Sequence, residues 1–174
     1  WTDTHCHLTD ARMPGGADEA VRAAIAGGVT TMVSIGTDAE TSANAIAIAG
    51  RHKEVWATVG LHPHDAQHGV AQLLPYLGAN KVVAIGECGL DYYYEHSDRP
   101  SQRTAFAEQI QLAHEHHLSL VIHTRDAWDE TFEILDAEGI PSNTIMHCFS
   151  GDEIRARQCV ERGLFLSFSG IVTF

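Results

Sequence analysis

Short apolar runs rich in β-branched and aromatic residues recur along the chain, separated by stretches with helical periodicity. They predict strands over residues 2–6, 30–35 (TTMVSI), 55–60 (VWATVG), 82–86 (VVAIG), 119–123 (SLVIH), 143–147 (NTIMH) and 164–168 (LFLSF). Few of these runs alternate with polar residues, which is the pattern of parallel strands buried on both faces. Helical stripes fill the gaps: Ala20, Val21, Ala24 and Ile25 near 17–26, and Phe106, Ile110 and Ala113 near 100–116, where Pro100 sits in the first turn. Glycines at Gly27-Gly28, Gly50, Gly78, Gly139 and Gly163 read as helix stops ahead of the next strand. Repeated strand–helix units imply a parallel sheet with right-handed crossovers, built either as a doubly wound sheet or as a (β/α)8 barrel.

The residues that follow each strand separate these two folds. His5 and His7 close the first strand, His62 and His64 (GLHPH) follow the third, and Glu87 follows the fourth. His123 and Arg125 (VIHTR) end the fifth strand, and His147 ends the sixth. A doubly wound sheet gathers its ligands at one crevice between two strands. Metal-competent residues at five strand ends converge only at the mouth of a barrel, so the sequence favours a TIM-type (β/α)8 barrel. No linker or low-complexity tract interrupts the series, and residues 1–174 are read as a single barrel domain.

Composition narrows the chemistry. With 44% hydrophobic and 20% charged residues, the chain can bury a sizeable core. No apolar run approaches the roughly 18 residues of a membrane span. Cys6, Cys88, Cys148 and Cys159 show no C-x-x-C spacing, so neither a zinc ribbon nor a disulfide framework is indicated, and a cytoplasmic location is expected. The formal charge of −12 argues against a broad basic surface for nucleic acid, but not against a phosphate substrate at a site whose potential divalent cations invert.

Histidine is the anomaly, with 12 in the chain. On an extended strand, His5 and His7 share a face and can grip one ion together. We place His5 and His7 on one divalent ion, His123 and His147 on a second, and Glu87 between them. This donor set suits borderline cations such as Zn, Mn or Ni, and a pair of such ions forms a clamp for phosphate-ester or amide hydrolysis. Each residue also has a plainer reading: strand-end histidines hydrogen-bond to backbone, and Glu87 pairs with a cation. His52, His68, His96, His114, His116 and His117 fall on helices or loops and read as surface residues. Cys6, Cys88 and Cys148 read as small core residues facing away from the ions.

The motifs DTHCHL, GLHPHDA, AIGECGLDYYYE, DRPSQRTAFAEQIQLA, LVIHTRDA, MHCFSGD and FLSFSGIVTF together resemble the TatD deoxyribonucleases of the amidohydrolase-like superfamily. The resemblance runs along nearly the whole chain, and GECGLDYY with HCFSG is its specific part. It implies a metal-dependent hydrolase with two divalent cations (Mg, Mn or Zn) that cleaves phosphodiester bonds in DNA, as single strands or at ends. No membrane or obligate protein partner is implied, and the full-length form is expected to be monomeric. By matching motif, His5, His7 and Glu87 correspond to ligands of one ion, and Glu87, His123 and His147 to ligands of the other. His62, Asp91, Tyr92 and Arg125 match residues that line the family's pocket, with His62 and Arg125 assigned to the scissile phosphate. The resemblance also implies an eighth strand and helix beyond Phe174, with an aspartate completing the first metal site, so the chain as given is expected to lack that strand and helix. Two other readings stand beside the nuclease: an amidohydrolase or esterase acting on a small molecule, and an inactive metal-binding fragment.

Overall fold

A computed structural model describes residues 1–174. Seven strands form one parallel sheet in chain order: β1 (Thr2–Cys6), β2 (Thr31–Ser34), β3 (Val55–Val59), β4 (Val82–Asp91), β5 (Ser119–Arg125), β6 (Ile145–Met146) and β7 (Phe165–Leu166). Five helices connect them: α1 (Gly16–Ala26), α2 (Ala39–Arg51), α3 (Arg99–Glu115), α4 (Trp128–Glu138) and α5 (Glu153–Glu161). Sequential parallel pairing with helical crossovers is the winding of a TIM barrel. The sheet curls enough that Thr4 Oγ1 on β1 lies 3.4 Å from Ser167 Oγ, just past β7. No helix is long and apolar enough to cross a membrane.

Three helix starts follow from side-chain caps. Asp38 accepts from the Thr41 amide in a capping box, Asp98 from Ser101, and Asp152 from Arg155. The sequence reading fails locally in several places. Gly50 lies inside α2, whose preceding alanines and isoleucines carry the helix past it. Between β3 and β4 the chain forms two 3₁₀ segments, Pro63–His68 and Val70–Tyr76, the second holding Pro75, instead of an α-helix ending at Gly78. β4 runs five residues further than expected, to Asp91, while β6 and β7 shrink to two residues each.

The long β4–β5 pair forms the centre of the molecule. It runs from Ala84 opposite Ser119 to Asp91 opposite Arg125, with β4 buried from Ala84 onwards and β5 buried at Leu120–Ile122. Two glycines allow this packing beside the mouth of the sheet. A Cβ on Gly60 would run into the Gly86 backbone, and one on Gly89 (φ 132°) into the His123 carbonyl. The larger apolar core, with Phe106, Ile110, Leu120, Ile122 and Leu135 fully buried, lies under β3–β6, α3 and α4. A smaller one, around Val21, Met32, Ala45 and Val55, joins α1 and α2 to β1–β3.

Candidate metal centre

Glu87 lies within β4, and its amide donates to the Gly36 carbonyl at 2.8 Å. Its carboxylate is buried and five imidazoles surround it. Oε2 faces His5 Nε2 at 3.3 Å and His7 Nε2 at 4.0 Å. Oε1 faces His123 Nδ1 at 3.1 Å, His147 Nε2 at 3.6 Å and His62 Nε2 at 3.7 Å. Each oxygen thus looks towards its own group of nitrogens.

The local folding that produces this arrangement is readable residue by residue. The side chains alternate along β1 and one residue past its end, so His5 and His7 face Glu87 while Cys6 turns the other way and donates its thiol to the Val33 carbonyl at 3.2 Å. His123 stands opposite Gly89 in the β4–β5 register. His147 follows β6, its amide bonded to the Ile122 carbonyl at 2.9 Å, and its ring stacks on His5 with centroids 3.4 Å apart. The His62 amide donates to the Thr37 carbonyl at 2.8 Å, which holds the start of the first 3₁₀ segment against the loop after β2.

Two buried glutamines of α3 fix the backbone around the site. Gln109 Oε1 accepts from the Leu61 amide at 2.8 Å while its Nε2 donates to the Leu61 carbonyl at 3.0 Å, one residue before His62. Gln102 does the same for Asp91, accepting from its amide at 2.8 Å and donating to its carbonyl at 3.0 Å. Asp91 Oδ2 in turn lies 3.0 Å from His123 Nε2 and 3.2 Å from His64 Nε2.

Charge is distributed unevenly. Burial opposes ionisation of Glu87, yet hydrogen bonds from His123 and His5 hold its carboxyl well below the usual range. Burial likewise opposes Asp91, and the Tyr94 amide and His123 outweigh it. Burial pushes His62 down to about 3 and His147 down to about 4, so both are neutral at ordinary pH. His123 moves the other way: burial lowers it, but Glu87 and Asp91 together raise it.

Three observations fit this donor set to divalent cations. His5, His7 and Glu87 place their donor atoms within 4.8 Å of one another, as do His62, Glu87 and His123. His5 Nε2 and His7 Nε2 face each other at 3.2 Å, two basic nitrogens that need a proton or a cation between them. His123 meets a carboxylate at both ring nitrogens, so its Nδ1 carries either a second proton or a cation in the proton's place. His62 sits differently, despite its distances. Its Nδ1 accepts from the His64 amide at 3.2 Å, which leaves the proton of the neutral ring on Nε2 and makes that atom a donor instead of a ligand. His147, within reach of the same Glu87 oxygen, carries no such constraint.

The site opens into a cleft of about 600 Å³ with no hydrophobic lining, walled by His7, Asp10, Thr37, His62, His64 and His123 among others. Of the residues expected to line a pocket, His62 does so, and Asp91 lies buried just behind the wall. Tyr92 points into the core and packs under the Arg99 guanidinium, 4.2 Å from its ring centre. Arg125 stands outside the cleft, against Tyr93 and Tyr94. Sequence reasoning did not single out Gln102 and Gln109. Their seven-residue spacing, which puts both on one face of α3, was the available signal.

A family model described as TatD related DNase matches residues 2–174. Among curated relatives, a protein named 3'-5' ssDNA/RNA exonuclease TatD from Cronobacter sakazakii is 39% identical over 98% of this chain and 66% of its own length. A protein named uncharacterized metal-dependent hydrolase YabD from Bacillus subtilis is 37% identical over 99% of this chain and 69% of its own length. The chain thus spans about two thirds of the length of these relatives. The crystal structure of YJJV, a TatD homolog from Escherichia coli, superposes with a TM-score of 0.89 at 29% identity, over 100% of this chain and 70% of that one.

Proposed function

Because this chain belongs to the TatD-related DNase family, we propose that it is a metal-dependent hydrolase that cleaves phosphodiester bonds of single-stranded nucleic acid, DNA first, at a two-cation centre. The observation that carries this reading is the buried Glu87 carboxylate, which turns one oxygen towards His5 and His7 and the other towards His123 and His147. A relative named as an ssDNA/RNA exonuclease supports the choice of substrate.

His5, His7 and Glu87 would hold one ion, and Glu87, His123 and His147 the other. Such ions supply Lewis acidity towards water and phosphate. The remaining work falls to the chain. Asp91 holds the His123 ring by its Nε2–H, so that Nδ1 presents its lone pair to the centre. Burial keeps His147 neutral and able to ligate. His62, neutral and protonated at Nε2, donates a hydrogen bond to a phosphoryl oxygen from the wall of the cleft. The polar cleft admits a phosphate backbone and offers nothing to an apolar ligand. Four cysteines without disulfides suit a reducing cytoplasm.

The test is release of nucleotides from a single-stranded oligonucleotide by pure protein supplied with Mg, Mn or Zn. Release that stops on adding chelator is expected. Turnover of cyclic amides or lactones with indifference to nucleic acid would transfer the reading to an amidohydrolase, and metal uptake without turnover of either to an inactive metal-binding protein.

A further inference from the structure

Beyond the cleft, the turn that follows Asp91 builds a stack of rings and charge that the hydrolytic centre does not use. Tyr93 and Tyr94 are 59% and 52% exposed and stand perpendicular to each other, their centroids 4.8 Å apart. Arg125 lies in the corner between them, its guanidinium carbon 4.0 Å from the Tyr93 ring centre and 4.7 Å from that of Tyr94. His96 stacks on Tyr94 at 5.7 Å and 23°. His64, part of the cleft wall, meets both Tyr94 and His96 edge-on. Tyr93 itself stays mostly exposed, with Tyr94 edge-on to it and Arg125 at its ring.

Two features give this patch a ligand class. The first is unspent positive charge. Nearby Arg99, Arg103 and Arg155 are paired with Glu95, Glu133 and Asp129, whereas Arg125 meets only aromatic rings, in a chain of net charge −12. The second is a rigid link to the centre. Asp91 Oδ1 accepts from the amides of Tyr93 and Tyr94 at 3.1 and 3.0 Å, while its Oδ2 touches His64 and His123. One carboxylate therefore sets both the aromatic pair and the imidazole beside Glu87.

We propose that Tyr93, Tyr94 and Arg125 form a subsite for the unpaired nucleotide next to the scissile phosphate, with its base stacked on the exposed Tyr93 ring and its phosphate met by Arg125. The proposal rests on the nuclease reading above and adds to it a cause of strand selectivity. A base in a duplex has both faces covered by its neighbours and cannot reach the ring, whereas every unpaired base has a face to offer. An exposed arginine already seated on aromatic rings is pre-organised for stacking and phosphate contact together.

The test compares binding of a short single-stranded oligodeoxynucleotide with binding of the same strand carrying abasic sites, by fluorescence anisotropy with chelator present. Wild-type protein should prefer the base-bearing strand by about 5-fold or more. Tyr93→Ala should bring the two affinities together, and Tyr93→Phe should keep them apart. Arg125→Ala should weaken both strands and flatten the salt dependence. Equal binding of the two strands by the wild type, or a preference that survives Tyr93→Ala, overturns the subsite. Turnover measured alongside separates the two ideas. A base preference without hydrolysis sinks the nuclease reading alone, hydrolysis without a base preference sinks the subsite alone, and a protein that neither binds nor hydrolyses sinks both. Circular dichroism of the variants confirms that a loss is not misfolding, which exposed positions rarely cause.

Discussion

The two halves of the proposed centre are supported very differently. Glu87, Asp91 and His123 stand on the β4–β5 pair over the larger core, and buried amides of α3 hold the backbone at Leu61 and Asp91. His5 lies on β1, whose first residues are exposed, His7 just past its end, and His147 follows a strand of only two residues. The side chain of His7 is 48% exposed where that of Glu87 is 5%. One half is pre-organised by packing, and the other is held largely by the groups it meets, including the His5–His147 stack. Each proposed ion would draw on both halves, one on Glu87 with His5 and His7 and the other on Glu87 and His123 with His147. Each would therefore meet ready-placed ligands on the packed side and have to order those at the edge.

The largest expected effect removes what the two proposed ion sites share. Glu87→Ala should strip metal from both, lowering bound metal measured by elemental analysis and reducing turnover by more than the roughly 10–100-fold typical of losing a ligand's hydrogen-bond partner. Survival of both metal content and activity would remove the idea of a shared carboxylate. A smaller effect isolates the central half. Gln109→Ala or Gln102→Ala leaves a buried N–H and C=O without partners and should cost about 1–3 kcal/mol for each orphaned group, read from the denaturation midpoint. Each should also weaken metal binding through the loop it clamps. If either is neutral for stability, the contrast in support between the halves is overstated.

The smallest effect concerns pH and compares one histidine from each half in metal-free protein. His62 and His147 are held neutral by burial, at about 3 and about 4, while in the unfolded chain they titrate near 6.5. Between those values the unfolded chain binds protons that the folded one refuses, so stability is full above about pH 6.5 and falls as the pH drops. His123, raised by Glu87 and Asp91 against the pull of burial, contributes in the opposite sense and loses its share as the pH rises past its folded value. Replacing His62 by Gln should relieve more of the acid sensitivity than His147→Gln, because its value lies lower. The reverse order, in thermal melts taken across this range with chelator present, would show the edge half to be the more tightly enclosed.

Much of this architecture was legible in the sequence, and the failures have physical causes. The parallel strands could be read because burial on both faces removes polar residues from them. The candidate ligands could be read because a barrel brings its strand ends to one mouth. Tyr92 was expected at the pocket because GLDYY matches residues that line the TatD family's pocket, but the chain turns after Asp91, so Tyr92 goes inward and Tyr93 outward. Arg125 ends β5 as expected, yet its guanidinium finds two aromatic rings before it reaches the cleft. Glutamine within a helix reads as an ordinary surface helix former, so neither Gln102 nor Gln109 by itself signalled its burial, and only their shared helix face hinted at it.

Those two glutamines also make α3 a ruler. Seven residues of helix return to nearly the same face and rise roughly 10 Å, and this step ties the loop that carries His62 to the turn that begins at Asp91 at a fixed spacing. A single residue inserted between them would swing one amide about 100° away from its loop without touching any proposed ligand. Length, more than composition, is what this helix has to conserve, and a chain with an intact set of histidines and one extra residue in α3 would carry the right groups at the wrong gauge.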